Sequence, residues 1–296
     1  MSDVSPNSPR PLCVDLDGTL VRTDTFAQAL LLLVRTRPAA LLSIPGWTKR
    51  GLASFKQQVA RDVQLDPAAL PVHPGLLSFL QAEKTAGRHL LLVTASDESV
   101  AQRVAEHTGL FDEVLASDGE VNLKAERKRD ALVERYGEGG FDYAGNATDD
   151  LAVWESAAEM IVVNPCGPVR RALRGRTFRL FEDRPPKWKA WLKALRVHQW
   201  IKNVLIFLPM LLAHELTTPA LYIQAVTAFF AFSFLASAIY VVNDLMDLHA
   251  DQHHPRKQTR TFACGNLSLL AAAVAVPSLI LCSLLLAQLL PLAFSG

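Results

Sequence analysis

Apolar residues are distributed unevenly along the 296-residue chain. In the first part, short apolar runs alternate with charged, amphipathic stretches, whereas long apolar segments dominate after about residue 197. The short runs predict strands at 12–14, 88–93, 141–144 and 160–163. Alternating strands and helices are typical of a doubly wound parallel α/β sheet. The pattern therefore predicts an α/β domain followed by an all-α transmembrane region.

Three apolar segments are candidates for membrane crossing, at 200–216, 221–242 and 267–290. The last two approach the roughly 20 residues that a bilayer core requires, whereas the first is short and contains Pro209. Lys and Arg residues are concentrated at 187–202 and 256–260, and such residues favour the cytoplasmic side. We therefore expect three helices in the inner or plasma membrane, a cytoplasmic N-terminal domain and Gly296 on the far side.

Composition divides the chain further. Residues 1–10 are polar and Pro-rich, so we expect a disordered tail without the apolar segment of a signal peptide. The α/β domain is predicted over 11–183, a basic amphipathic linker helix over 184–199, and the membrane region over 200–296. The tryptophan-containing face of the linker helix suits the headgroup layer of a membrane or, alternatively, packing on the α/β domain.

Charge and cysteine content exclude some classes of function. The formal net charge is only +1, so nucleic acid is not an expected partner. The basic residues lie beside tryptophans just before the apolar segments, a composition that suits an anionic membrane surface. The four cysteines are widely separated, which argues against a zinc site and against a disulfide framework.

Candidate chemistry in the α/β domain lies where predicted strands end. Asp15 and Asp17 follow the first strand and Thr94 follows the second, at the edge where open α/β sheets bind ligands. Lys128 lies at a predicted helix start, with Lys124 as the alternative. A further predicted strand leads into the sequence GNATDD, which contains Asn146 and Asp150.

The DLDGT sequence, the strand ending in Thr94, the lysine and GNATDD together resemble the four motifs of the haloacid dehalogenase superfamily of phosphohydrolases. The resemblance implies a helical cap at about 21–72 and magnesium held among Asp15, Asp17, Asn146 and Asp150. It also implies that Asp15 attacks phosphorus and that Asp17 acts as general acid and base. Thr94 and Lys128 would bind the phosphate, although either lysine is alternatively an ordinary surface residue.

Asn146 departs from the pattern of that superfamily, in which an aspartate usually stands at this position. An amide oxygen ligates a hard cation but contributes no negative charge, so we expect weaker magnesium binding. A folded but inactive domain is the alternative. Within the predicted cap, the apolar run 29–34 is interpreted as cap core in preference to a membrane-touching patch, because arginines interrupt it.

A second group of polar residues lies between the last two apolar segments, in the sequence NDLMDLHAD. Helical spacing would place Asp244, Asp247 and Asp251 on one face, with Asn243 one turn before Asp247. Such carboxylates at a membrane edge suit a magnesium-bound diphosphate. A solvated polar loop is the alternative interpretation.

An RxxxWxKN pattern precedes this group, formed by Arg196, Trp200, Lys202 and Asn203. With NDLMDLHAD and the following His254, Pro255 and Lys257, it resembles the UbiA family of intramembrane prenyltransferases, particularly members that make polyprenyl-phosphate phosphoribose. The resemblance implies that the three aspartates bind magnesium. It further implies that a polyprenyl-phosphate-type substrate is bound by Lys202, Asn203, Asn243, Lys257 and Arg260. For Lys202 and Arg260, ordinary membrane topology is the alternative explanation.

Members of that family have more spans and a second Asp-rich motif, so three hypotheses follow. The chain is a prenyltransferase fused to a magnesium-dependent phosphatase, acting on polyprenyl phosphate or phosphoribosyl-type substrates. Alternatively, it is a phosphatase with a non-catalytic membrane anchor. The third hypothesis is a truncated, non-catalytic fragment that needs a partner chain to supply transmembrane helices.

Overall fold

The computed structural model describes residues 9–49, 51–117, 123–214 and 218–291. The chain divides into two compact units, one ending at Arg184 and the other beginning at Pro185.

In the described part of the first unit, six parallel strands form one sheet, which confirms the predicted α/β class. The strands are Leu12–Val14 (β1), Leu90–Asp97 (β2), Glu113–Ser117 (β3), Asp142–Gly145 (β4), Met160–Val163 (β5) and Arg179–Phe181 (β6). Their order in the sheet is β3-β2-β1-β4-β5-β6. In register, Val14 pairs with Leu92 on one side and with Ala144 on the other, so β1 lies at the centre between β2 and β4.

Helices cover both faces of this sheet. They are Thr25–Thr36 (α1), Ile44–Thr48 (α2), Leu52–Asp62 (α3), Pro74–Thr85 (α4), Glu98–Thr108 (α5), Glu126–Tyr136 (α6), Leu151–Ser156 (α7) and Gly167–Ala172 (α8). Successive side chains of a strand point to opposite faces, so β1 contributes to two cores. Leu12 and Val14 pack in one core with Leu33 of α1, and Cys13 packs in the other with Leu132 of α6.

The segment between β1 and β2 carries α1, α2 and α3, in the region predicted as a cap. Its two connections to the sheet domain meet where Val21 forms an antiparallel bridge to Val72. Ala29 and Leu33 of α1 are buried together with Val59 of α3, as the core interpretation of the apolar run predicts.

Hydrogen bonds and ion pairs at the end of the first unit hold these connections in place. Asp183 accepts hydrogen bonds from Arg22 and, at 3.0 Å, from Asn164 Nδ2, and it lies 3.3 Å from His73 Nε2. Arg184 donates to the backbone carbonyl of Arg22. His73 caps α4, because its Nδ1 accepts the amide hydrogen of Leu76 at 3.1 Å.

The second unit is helical. Its helices are Lys187–Ala194 (α9), Leu208–Leu212 (α10), Pro219–Met246 (α11), Leu248–His253 (α12) and Leu269–Ala287 (α13). Two of them, α11 and α13, are long and apolar enough to cross a membrane. Small residues permit their close packing, and Ser283 Oγ donates to the Ala231 carbonyl at 2.7 Å.

The first of the three predicted spans forms a shorter apolar helix, Val197–Leu212. Its first part, Val197–Phe207, is a 3₁₀ helix, and Pro209 begins the α-helical turn that follows. By length and composition alone, the bent pair Thr25–Thr36 and Pro38–Thr48 also qualifies as one span.

Candidate active sites

The first candidate site lies at the carboxyl ends of β1, β2 and β4, the three central strands. Asp15 follows β1, Thr94 lies near the end of β2, and Asn146 follows β4. Lys128 reaches the same place from the first turn of α6. Because parallel strands end at one edge of the sheet, these residues, far apart in sequence, lie close together here.

Asp15 and Lys128 form a buried ion pair. Lys128 Nζ lies 2.8 Å from Asp15 Oδ1, and the two residues are only 5% and 7% exposed. Burial raises the pKa of Asp15 to about 7, although the charge of Lys128 opposes this rise. Burial also disfavours the lysine ammonium, but the charges of Asp15 and Asp150 outweigh it and raise the pKa of Lys128. The lysine is therefore held in its cationic form beside a carboxylate.

The alternative lysine is not part of this cluster. Lys124 pairs with Asp149 at 3.0 Å, and its side chain is 56% exposed. The structure therefore favours Lys128 over Lys124 as the cation of the site.

Asp17 is held by the beginning of α1 and by β2. Its Oδ1 accepts the amide hydrogen of Thr25 at 2.7 Å, and its Oδ2 accepts a hydrogen bond from the Ser96 hydroxyl. Burial, and then the charge of Asp24, raise the pKa of Asp17. A carboxyl group with a raised pKa is suited to donate a proton, as a general acid does.

Thr94 is buried beside these residues, and its hydroxyl oxygen accepts the Ser96 amide hydrogen at 3.0 Å. Ser96 thus connects Thr94 to Asp17. Ser96, two residues after Thr94 on β2, was not predicted as a residue of the site.

Asp150 is placed differently from its predicted role as a metal ligand. Its Oδ2 accepts the backbone amide hydrogens of Asn146 and Ala147, both at 2.9 Å. Its Oδ1 accepts the Tyr143 hydroxyl at 2.7 Å and lies 3.7 Å from Lys128 Nζ. Both oxygens are therefore engaged, and Asp150 holds the loop after β4 and supports Lys128. Tyr143, the second residue of β4, was also not predicted as a residue of the site.

Of the predicted magnesium ligands, Asp15 and Asn146 present oxygens that lie close together, whereas both oxygens of Asp17, like those of Asp150, already accept hydrogen bonds. The Thr19 hydroxyl lies 3.2 Å from Asp15 Oδ2 and 3.2 Å from Asn146 Oδ1, so these two oxygens converge on one point. Carboxylate and amide oxygens are hard ligands that fit magnesium. Within the described ranges, however, no group of three His, Cys, Asp or Glu side chains is placed to hold a metal ion. The oxygens of Asp15 and Asn146 therefore suit magnesium, but the amide of Asn146 adds no negative charge to the site.

Gly18 determines where Asn146 lies. It has φ +79°, a backbone conformation that favours glycine, and a Cβ atom there would lie 2.2 Å from Asn146 Nδ2. The absence of a side chain at position 18 is what allows the amide group to approach the Asp15 loop.

The second candidate site lies in the helical unit, where α11 ends. Asp244 is 5% exposed and accepts a hydrogen bond from Arg196 at 2.8 Å. Asp251 is 1% exposed and accepts a hydrogen bond from Arg260 at 2.7 Å. The same Arg260 nitrogen lies 3.4 Å from Asp244. The second oxygen of Asp251, Oδ1, is buried and has no hydrogen-bond partner among the residues that the structure describes. Arg196, which the sequence analysis named only as part of a motif, is therefore a member of this cluster.

The remaining predicted residues of this site are not gathered in the cluster. Asp247 is exposed, so the three aspartates do not form a single group as predicted. Asn243, Lys202 and Lys257 are also exposed. Asn203 donates to Ser233 Oγ at 2.9 Å and thereby joins the 3₁₀ helix to α11.

Comparison with known proteins finds a different family in each of the two units. Residues 12–152 match the family model described as haloacid dehalogenase-like hydrolase, and residues 203–295 match that of the UbiA prenyltransferase family. The uncharacterized protein y4nM of Sinorhizobium fredii is 38% identical over 264 residues, which cover 88% of this chain and 51% of that protein.

The decaprenyl-phosphate phosphoribosyltransferase of Corynebacterium glutamicum is 45% identical over 87 residues, which cover 28% of this chain and 26% of that enzyme. The chain thus spans about half the length of the first relative and about a quarter of the second. Among solved structures, a protein of unknown function from Bordetella pertussis Tohama I aligns with a TM-score of 0.44 at 19% identity, covering 59% of this chain and 99% of that one. From the two family matches, the chain carries a haloacid dehalogenase-like hydrolase domain joined to a region of the UbiA prenyltransferase family, and both are families of enzymes.

Proposed function

We propose that the first unit is a magnesium-dependent phosphohydrolase whose nucleophile is Asp15. The observation that carries this proposal is the buried ion pair between Asp15 and Lys128, at 2.8 Å, at the carboxyl edge of the sheet. A cation held beside a carboxylate in a dry site can offset the charge of an incoming phosphate. Asp17 lies two residues from the nucleophile, with a raised pKa that suits proton donation.

The reaction follows from these positions. An oxygen of Asp15 attacks phosphorus, and the bond from phosphorus to the leaving oxygen breaks while that oxygen takes the proton of Asp17. The Asp17 carboxylate then takes a proton from water, and the water oxygen attacks phosphorus, which releases inorganic phosphate and restores Asp15. Thr94 and Lys128 bind phosphate oxygens throughout. Magnesium, held by Asp15 and Asn146, would supply further charge neutralisation when bound.

Phosphate release from p-nitrophenyl phosphate by the full chain in detergent, across a magnesium titration, tests this proposal. We expect turnover that Asp15→Asn and Asp17→Asn reduce to the background rate. Asp149→Asn is the matched control, because Asp149 is a carboxylate of the same segment whose side chain is 46% exposed and pairs with exposed Lys124 at 3.0 Å. Equal rates for the wild type and Asp15→Asn would overturn the proposal.

For the second unit we propose binding of a polyprenyl-phosphate-type lipid, as substrate of a prenyltransferase-family reaction with a phosphoribosyl-type donor. Support comes from the relatives named decaprenyl-phosphate phosphoribosyltransferase and from the arginine–aspartate cluster at the end of α11. Magnesium would be held between buried Asp244 and Asp251, with Asp247 contributing from its exposed position. Asp251 Oδ1, which has no hydrogen-bond partner among the described residues, suits a cation. Lys202, Asn203, Asn243, Lys257 and Arg260 would contact phosphate groups.

We further propose that α11 and α13 cross the membrane and that the first unit is cytoplasmic, because basic residues flank the apolar segments. Membranes containing the chain, supplied with a polyprenyl phosphate and phosphoribosyl diphosphate, test the transferase. Product formation that Asp244→Ala abolishes and Asp149→Asn preserves is the expected result. If product forms only when a second membrane protein is co-expressed, a partner chain completes the site. Absence of product in both cases would leave the second unit as an anchor.

A further inference from the structure

Tyr143 is the one residue of the phosphohydrolase site described above that contacts both Lys128 and Asp150. Its side chain is fully buried in β4. The Tyr143 hydroxyl accepts a hydrogen bond from Lys128 Nζ at 2.9 Å and donates one to Asp150 Oδ1 at 2.7 Å. The phenol oxygen therefore stands between a cation and a carboxylate that are 3.7 Å apart.

This arrangement decides which carboxylate Lys128 contacts. Two buried carboxylates, Asp15 and Asp150, compete for one ammonium group. Asp150 Oδ1 accepts the phenol hydrogen and lies 3.7 Å from Lys128 Nζ, which is beyond hydrogen-bond distance but within reach of an ion pair. Of the two carboxylates, Asp15 is the one to which Lys128 donates a hydrogen bond, at 2.8 Å.

The phenol is fixed by the loop that carries Asn146. A Cβ atom at Gly145 would lie 2.8 Å from the Tyr143 ring and 2.7 Å from Asp150 Oδ2, so ring, carboxylate and loop backbone are in close contact. Trp154 Nε1 donates to the Tyr143 carbonyl at 3.2 Å. These contacts pack the ring in the place where its hydroxyl lies beside Lys128.

We propose that Tyr143 is a positioning residue, which directs the Lys128 ammonium away from Asp150 and onto the nucleophile Asp15. The proposal rests on the proposed phosphohydrolase function. Without the phenol oxygen, Lys128 moves toward Asp150, and the charge that should stabilise the transferring phosphate is displaced.

Tyr143→Phe tests the proposal against Tyr136→Phe. Tyr136 packs against the same core, and its hydroxyl is buried without a hydrogen-bond partner in the part of the chain that the structure describes. We expect kcat for p-nitrophenyl phosphate to fall about tenfold or more in Tyr143→Phe, the equivalent of one hydrogen bond to a charged group, while KM changes little. Tyr136→Phe should retain wild-type kcat. Equal kcat values for the two variants would overturn the proposal.

Rescue separates positioning from a general loss of structure. Asp150→Asn removes the competing charge, so Tyr143→Phe should cost markedly less kcat in that background than in the wild type. In Tyr143→Phe alone, the buried Asp150 carboxylate loses the hydrogen bond from the phenol. The double variant has no carboxylate at position 150, so this cause of misfolding is removed. A loss of kcat that is as large in both backgrounds would contradict positioning.

A measurement that does not depend on enzyme activity distinguishes failure of this proposal from failure of the proposed function. Reductive methylation of the full chain, followed by peptide mass spectrometry, reports how firmly Lys128 is held. We expect Lys128 to react about fivefold faster in Tyr143→Phe than in Tyr136→Phe, for the loss of about one hydrogen bond. Equal methylation rates would refute the positioning role even in an active enzyme, whereas an inactive wild type with this difference would refute only the hydrolase function.

Discussion

The Lys128 ammonium and the Asp15 carboxylate lie 2.8 Å apart, and each is almost completely buried. Burial raises the pKa of Asp15 to about 7 despite this cation, and the pKa of Lys128 is also raised. Across the neutral range the lysine therefore stays charged, and the protonation state of the pair is decided by the aspartate.

This pair predicts how stability depends on pH without divalent cations. The folded-state pKa of Asp15 lies above the unfolded value of 3.8, so the folded chain binds more protons between about pH 4 and pH 7. The contribution of Asp15 to stability is thus fully present below about pH 4 and is lost as the pH rises through about 7. Thermal unfolding in detergent should show a smaller decrease in Tm from pH 5 to pH 8 for Asp15→Asn than for the wild type. Identical pH slopes would contradict the prediction.

Asn146→Asp should strengthen magnesium binding by the first unit. The substitution keeps the size of the side chain and adds a negative charge to an oxygen that converges with Asp15 on Thr19. We expect half-maximal phosphatase activity at a magnesium concentration about tenfold lower, corresponding to roughly 1.4 kcal/mol. Asn146→Ala, which removes the oxygen, should shift the titration to higher magnesium. An unchanged titration in both variants would exclude position 146 as a ligand.

Gly18→Ala should disrupt the site through Asn146. The added Cβ atom would lie 2.2 Å from Asn146 Nδ2, so the amide group must move. Gly87→Ala is a matched control, because Gly87 has nearly the same φ, +81°, but nothing lies within 4 Å of an added Cβ atom. Both variants should lose about 1 kcal/mol from backbone strain, and only Gly18→Ala should lose magnesium-dependent activity. Comparable activity of the two variants would contradict this prediction.

The central residues of the first site were predictable because strand order and motif spacing bring them together. Asp15, Thr94 and Asn146 follow adjacent strands, and their meeting needs only the parallel sheet. Tyr143 and the role of Asp150 were not predictable, because their hydrogen bonds depend on the backbone of the loop after β4. Strands β3 and β6 were also missed, since Glu113 and Arg179 begin them at the two partly exposed edges of the sheet.

The three aspartates of the second site show the limit of spacing arguments. At 3.6 residues per turn, seven residues return to within about 20° of the starting direction, whereas three residues end about 60° away. In the structure Asp247 lies at the junction of α11 and α12 and is exposed, while Asp244 and Asp251, on either side of the junction, share Arg260. Helical periodicity predicted that the three aspartates lie on one face of a helix, but it did not predict which of them form ion pairs with arginine.

Arg260→Ala should destabilise the second unit. Asp251 would keep a buried carboxylate without its arginine partner, and breaking a buried pair in this way costs about 3 kcal/mol or more. Arg256→Ala is the control, since Arg256 is an exposed arginine of the same segment. Thermal unfolding of the purified chain should show a lower transition for Arg260→Ala only. A double variant with Asp251→Asn should recover part of the loss, and failure to recover would argue against the pair.

The contacts of Asp183 with Arg22 and His73 have a mechanical consequence. Arg22 and His73 lie on the two connections through which the α1–α3 segment joins the sheet domain. Asp183 and Arg184 are the last residues before the chain leaves that domain at Pro185. A force applied to the chain beyond Pro185 would therefore act first on the two connections of the α1–α3 segment. The contacts of Asp183 that hold the end of the domain in place also hold these two connections together.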